Sequence, residues 1–233
     1  MYFLKAAPGN FSAVHRKPGD IKFIVIHYTG NNGDTARNNL RYYSCNTVKA
    51  SAHFFVDEKE VCCSVPFDSV AWHCGTIGEY RHPDCRNANS IGIELCSRRY
   101  DNGTYYFKPE TLELAARFTA QKMKDLNIPI DHVVRHYDVT GKLCPRPFIN
   151  QAAWDGFKRK VMRYYNGEVQ EKEKEGLQVT YYEKLEEIPA GEQREVVRKL
   201  IDRGTIKGNG AGLHLSSDMV RMMVFNNREG LYK

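Results

Sequence analysis

No stretch of this 233-residue chain approaches the roughly 18 consecutive apolar residues that a membrane-spanning helix requires, so membrane insertion is not expected. A secretory leader is missing too, because Met1 to Gly9 lacks a basic start followed by an apolar run, and the expectation is a product made without an export signal. Seven cysteines, with Cys62 and Cys63 adjacent, cannot all pair, which excludes a complete disulfide framework and favours reduced thiols. Dense Lys/Arg tracts, RNA-binding signatures and zinc-finger spacings are lacking, so nucleic acid is not an expected partner despite a formal net charge of +6. That charge still suits an anionic partner of another kind.

What is present is the material of a folded protein: 42% of residues are hydrophobic and 27% charged, enough for a sizeable core and too balanced for disorder. Phe23-Ile24-Val25-Ile26 reads as a buried strand that ends at His27 and a polar, glycine-containing loop. Asp34 is placed to cap a helix running to about Ser44. A hairpin is expected from His53–Asp57 to Val61–Val65. Ser90 to Cys96 alternates, with Ile91, Ile93 and Leu95 on one face and Gly92, Glu94 and Cys96 on the other, which puts an acid inside a core strand. Pro109 suits the first turn of a helix that Asn127 and Pro129 stop, and a short strand, Val133 to Arg135, leads into His136. A further helix is expected from about Gln151 to Tyr165.

Strands interleaved with helices predict an α/β domain over residues 1–166. The charged, glycine-bracketed stretch 167–176 reads as a linker. Residues 177–233 form a small, mostly helical domain with helical stretches at Glu192–Asp202 and Ser217–Arg228 and little core of its own.

His136 and Cys144 stand eight residues apart on one loop, where Gly141 permits a tight turn and prolines stiffen the exit. A catalytic metal takes three protein ligands from imidazole, thiolate or carboxylate and keeps one position open, and His27 at the end of a separate strand offers a third ligand. Spacing alone leaves open a loop histidine bonded to a carbonyl and a buried apolar cysteine.

Five ordered segments add to this reading: Ile24 to Thr29, Ser51 to Phe54, Ala71 to His73, Ser90 to Glu94, and the His136 to Pro145 loop. Together they resemble the type 2 N-acetylmuramoyl-L-alanine amidases, a family that includes phage endolysins and is related in fold to peptidoglycan recognition proteins. The resemblance covers about residues 20 to 160. It implies a central mixed β-sheet flanked by helices, a groove for bacterial peptidoglycan, and Zn2+ on His27, His136 and Cys144. It further implies Glu94 as general base and Lys142 as the cation facing an oxyanion, with His73, beside Trp72, lining the substrate groove. Several relatives carry a tyrosine where this chain has Ala52, so no tyrosine role is assigned there and proton transfer falls to Glu94. His53 reads as a structural histidine, and Cys62, Cys63, Cys74, Cys85 and Cys96 as free thiols.

The tail loosely resembles the modules that endolysins attach to wall-cutting domains, implying wall binding or, failing that, self-association. Placement in the host cytoplasm before release onto the wall follows from the resemblance and the missing leader. Competing expectations are a recognition module that binds without cutting and an intracellular wall-recycling amidase.

Overall fold

The computed structural model describes residues 1–75, 79–168, 181–208, 212–228 and 232. The chain divides into two compact units, Met1–Gln170 and Glu171–Lys233. Among the described residues, ten strands lie in the first: β1 (Tyr2–Phe3), β2 (Phe11–Ser12), β3 (Phe23–Tyr28), β4 (Phe54–Val56), β5 (Val61–Cys63), β6 (Val70–Ala71), β7 (Ser90–Leu95), β8 (Arg98–Arg99), β9 (Tyr105–Tyr106) and β10 (Val133–Arg135). Its helices are α1 (Ala36–Cys45), α2 (Pro109–Leu126), the short α3 (His136–Thr140) and α4 (Gln151–Tyr165).

Six strands form one mixed sheet in the order β1-β5-β4-β7-β3-β10, parallel except for the antiparallel β4–β5 hairpin. Asp57 closes that hairpin, its Oδ1 accepting from the Lys59 and Glu60 amides at 2.7 and 2.9 Å, as an aspartate in a turn does. Because side chains alternate along a strand, the sheet has two distinct faces. Ile24, Ile26, Ile91, Ile93, Leu95 and Val133 bury against α2 and α4 through Ala116, Met123, Trp154 and Phe157. Each fully buried aliphatic side chain there contributes roughly 1.5–3 kcal/mol. The opposite face carries Phe23, Val25 and His27 on β3, in register with Ser90, Gly92 and Glu94 on β7. It is covered by α1, through Ala36 and Leu40, and by Cys74 and Cys85 of the loop after β6.

The helix ends follow from local chemistry. Pro109 opens α2, whose C-cap Asn127 takes a left-handed conformation at φ 52°. At α1 the cap is Thr35 and not Asp34 as expected: the Thr35 hydroxyl accepts from the Asn38 amide at 3.2 Å. Asp34 instead accepts from Asn39 Nδ2 at 2.7 Å and from the Thr29 hydroxyl at 3.2 Å, tying the loop after β3 to the helix.

The second unit pairs β11 (Tyr181–Tyr182) with β12 (Leu215–Ser216) and packs α5 (Glu192–Asp202) on α6 (Ser217–Arg228). Its core is small, centred on Ile188, Val197, Leu215 and Val220. Of the linker expected over 167–176, residues 169–176 lie outside the described residues, as do residues 209–211 of the glycine cluster. No described helix is long and apolar enough to cross a membrane.

Candidate metal centre

In parallel sheets ligands gather beyond the carboxyl ends of the strands, and the sequence sets its chemistry there. His27 sits near the end of β3, Glu94 near the end of β7 in register with it, and His136 immediately after β10. The loop from His136 is held by Arg135, a buried residue whose guanidinium grips Asp138 (Nη2–Oδ1 2.7 Å) and the Phe148 carbonyl (2.8 Å). Gly141 ends α3 at φ 79°, and the Tyr137 amide donates to the Cys144 carbonyl at 2.8 Å, folding the loop back so that Cys144 returns to the histidines. His27, His136 and Cys144, all buried, bring ligand atoms within 4.8 Å of one another.

Hydrogen-bond direction shows which nitrogens are bare. His136 Nε2 lies 3.2 Å from the Gly75 carbonyl, which can only accept, so the ring proton is on Nε2. Nδ1 of the same ring is buried with no partner among the described residues. His27 Nδ1 faces Cys144 Sγ at 3.7 Å. Donors bound at about 2.1 Å (nitrogen) and 2.3 Å (sulfur) on two corners of a tetrahedron are about 3.6 Å apart, so the donor set fits a tetrahedral divalent ion.

Burial, with His136 and His73 as neighbours, holds His27 well below the usual imidazole range, and burial with Lys142 nearby lowers His136 to about 4. Both rings are therefore neutral near pH 7, as ligands must be. Burial pushes the Cys144 thiol up to about 12, with Glu94 adding to the shift. A cation among these groups reverses that direction, since coordination deprotonates a thiol.

Glu94 shares the sheet face of His27, and its Oε2 is buried with no hydrogen-bond partner among the described residues. Burial pushes its carboxyl up to about 8, against the pull of Lys142 and with a smaller push from Asp34. It borders a 440 Å³ hollow whose other walls include Thr29, Asn31, Asn39, Tyr42 and Tyr43. Lys142 is exposed on the loop, and its charge acts on His27, His136, Glu94 and Cys144 together. A larger hollow of 690 Å³, beside Tyr105, Tyr106 and Arg146, contains none of these groups.

The family model described as N-acetylmuramoyl-L-alanine amidase matches residues 17–147, more than half of the chain. The chain belongs to this amidase family. Among curated relatives, the Bacillus subtilis N-acetylmuramoyl-L-alanine amidase BlyA is 36% identical over 160 residues, covering 63% of this chain and 42% of BlyA. XlyB of the same species, also an N-acetylmuramoyl-L-alanine amidase, is 35% identical, covering 65% and 45%. The chain thus spans less than half the length of these relatives. Of solved structures, PlyL superposes with a TM-score of 0.57 at 27% identity, covering 69% of this chain and 96% of PlyL. The catalytic domain of XlyA does so at 0.54 and 28%, covering 69% and 97%. The central sheet with flanking helices is the fold of these amidase domains.

Within this amidase fold the three expected ligands come together and Glu94 and Lys142 lie beside them, while His73 is buried and lines neither of the two hollows described above. His73 is only 7% exposed and packs over Gly92 of β7, where a Cβ would come within 2.6 Å of its ring. The cause is Asn87, whose Oδ1 accepts from the amides of His73 and Cys74 (3.2 and 2.7 Å) and turns the segment inward. His73 Nδ1 meets His27 Nε2 at 3.0 Å, and Cys74 Sγ lies 3.1 Å from the same nitrogen. His27, His73 and Cys74 consequently make a second group with ligand atoms close enough for a metal, which sequence reasoning missed because Cys74 has no recognisable spacing to His27.

His53 lies outside the ligand group and is held by the fold. Its Nδ1 accepts from the Gly92 amide at 3.0 Å, its Nε2 faces Arg16 at 2.6 Å, and burial with Arg16 lowers it to about 3. Arg16 is itself buried and binds the carbonyls of Phe67 and Ser90 (2.6 and 2.8 Å), so it ties the site's supporting loops together. Nothing local marked it, because its partners lie 37 to 74 residues away. All seven cysteines are free thiols in the structure.

Proposed function

We propose that this chain is a zinc-dependent N-acetylmuramoyl-L-alanine amidase that hydrolyses the amide between N-acetylmuramic acid and L-alanine in bacterial peptidoglycan, as phage or prophage endolysins do. The observation that carries it is the meeting of one ligand atom each from His27, His136 and Cys144 within 4.8 Å, beside a half-buried carboxyl on the neighbouring strand whose Oε2 is buried with no hydrogen-bond partner among the described residues. His27, His136 and Cys144 would hold the zinc, and mixed imidazole and thiolate ligation favours that metal over magnesium or calcium. When bound, zinc supplies Lewis acidity toward the amide carbonyl and toward water.

The remaining work belongs to side chains of this protein. Glu94, a carboxyl that burial alone keeps protonated and that the charge of a bound zinc would return to its ionised form, accepts the proton of the attacking water and returns it to the leaving L-alanine amine. Lys142, exposed at the rim, stabilises the negative charge that builds on the former carbonyl oxygen. The 440 Å³ hollow beside Glu94 offers amide, hydroxyl and phenol groups to the polar substrate. The second unit tethers the enzyme to the wall, raising its effective concentration on an insoluble substrate, and the enzyme reaches that wall after release from the host cell that makes it.

The test is cleavage of purified wall fragments, following new L-alanine amino groups against new reducing sugar ends, with Cys144→Ser and Glu94→Ala alongside. New amino groups without reducing ends, lost in both variants, are expected. Binding without release by zinc-loaded protein would instead make this a recognition module.

A further inference from the structure

His27 is contacted on both ring nitrogens, and the chain of contacts behind it has only one consistent direction. It starts at the Arg86 carbonyl, which can only accept. The Ser90 hydroxyl lies 2.6 Å from that carbonyl and donates to it, leaving its oxygen lone pairs free. His73 Nε2, 3.2 Å from the Ser90 Oγ, must then carry the ring proton and donate it. In a neutral ring this makes His73 Nδ1 an acceptor, and the group 3.0 Å away is His27 Nε2, which donates. Neutral His27 therefore carries its proton on Nε2, and its bare lone pair is on Nδ1, the nitrogen that faces Cys144.

We propose that His73 is a positioning residue: with Ser90 and the Arg86 carbonyl it fixes the tautomer and ring orientation of His27 so that Nδ1 is presented to a single metal ion shared with His136 and Cys144. The cluster of His27, His73 and Cys74 is by this account a hydrogen-bonded support and not a second metal site, because His27 Nε2 and His73 Nε2 are both committed as donors. Gly92 belongs to the same device. A side chain there would collide with the His73 ring at 2.6 Å, so the absence of one leaves the space in which the relay is built. Cys74 touches His73 Nδ1 without being needed for the direction of any of these bonds.

This inference rests on the metal reading of the site, and the experiment separates the two. Zinc affinity and stoichiometry are measured by competition with a chromophoric chelator. Wild-type protein is expected to bind one ion per chain. His73→Phe, which fills the space but cannot accept from His27, should weaken binding about 10–100-fold, the usual cost of removing a histidine ligand's hydrogen-bond partner. His73→Gln, which can accept with its oxygen and donate with its nitrogen, should recover most of that loss, a rescue that a purely space-filling role does not predict. Ser90→Ala should give a smaller loss, and Cys74→Ser should leave affinity and stoichiometry unchanged. Unchanged affinity in folded His73→Phe overturns the relay, as does a second ion per chain that Cys74→Ser removes. Should His73→Phe not fold, unchanged affinity in Ser90→Ala overturns it equally. Wild-type protein that binds no zinc overturns the metal reading and this inference with it.

Discussion

The two faces of the central sheet are built from the same strands and do opposite things. On one, Ile24, Ile26, Ile91, Ile93 and Leu95 pack against α2 and α4 with no polar atom among their side chains. On the other, the alternate positions His27, Ser90, Gly92 and Glu94 leave a histidine pair, a serine and an unpartnered carboxyl inside the protein. The apolar face supplies stability from which the polar face draws, since the hydrogen bonds among the histidines offset part of the cost of burying them while Glu94 Oε2 has none among the described residues. Strand alternation is what allows both on a sheet one residue thick.

Three substitutions, one of them measured in two ways, sharpen or break that contrast. The largest effect is expected from Glu94→Gln on the polar face, lowering kcat by about 10²–10⁴ in assays of amide release, the range for loss of a general acid–base. A residual activity near wild type would remove Glu94 from proton transfer. Lys142→Ala should lower kcat by about 10²–10³ with the melting temperature unmoved, because the side chain is exposed and its role is confined to the developing oxyanion. Ile93→Ala on the apolar face should do the reverse, costing about 2–5 kcal/mol in denaturant unfolding while zinc affinity stays at the wild-type value.

The smallest effect is a gain. The Glu94 carboxyl titrates near 8 when folded against an ordinary value of 4.5, so folding favours its protonated form. Between those values the folded state holds the proton that the unfolded state has released, and stability falls as pH rises through the window. In metal-free protein Glu94→Gln removes this loss. The variant should match wild type below pH 4.5 and exceed it above pH 8 by at least about 2–4 °C, the shift that 1 kcal/mol makes in a domain of 150–250 residues. Equal melting at both ends would mean that the carboxyl is solvated.

The faces also differ in how far they can be read from sequence. The β-branched run of β3 and the alternation of β7 place Ile91, Ile93 and Leu95 together without any tertiary information, and Pro109 and Asn127 mark the ends of α2. The residues of the proposed site also stand out in the sequence, His27 and His136 as polar ends of strands and Glu94 as an acid in an apolar alternation. The orientation of His73 was not. A histidine beside a tryptophan in a glycine-rich loop reads as surface, and what turns it inward is Asn87, fourteen residues on. Asp34 and Thr35 are equally good caps by composition, and the choice between them rests on the Asn39 side chain that occupies Asp34. The two-residue strands β1 and β2 are too short for any period to register, and each exists only through its partner, β5 and β6 respectively.

The most direct test of the central claim is X-ray absorption at the zinc edge on purified, zinc-loaded protein, with metal content measured on the same sample. One ion per chain, with one sulfur and two imidazole nitrogens in its shell, is the predicted result. Two sulfurs, or a spectrum unchanged by Cys144→Ser, would contradict it and move the metal to the Cys74 side of His27.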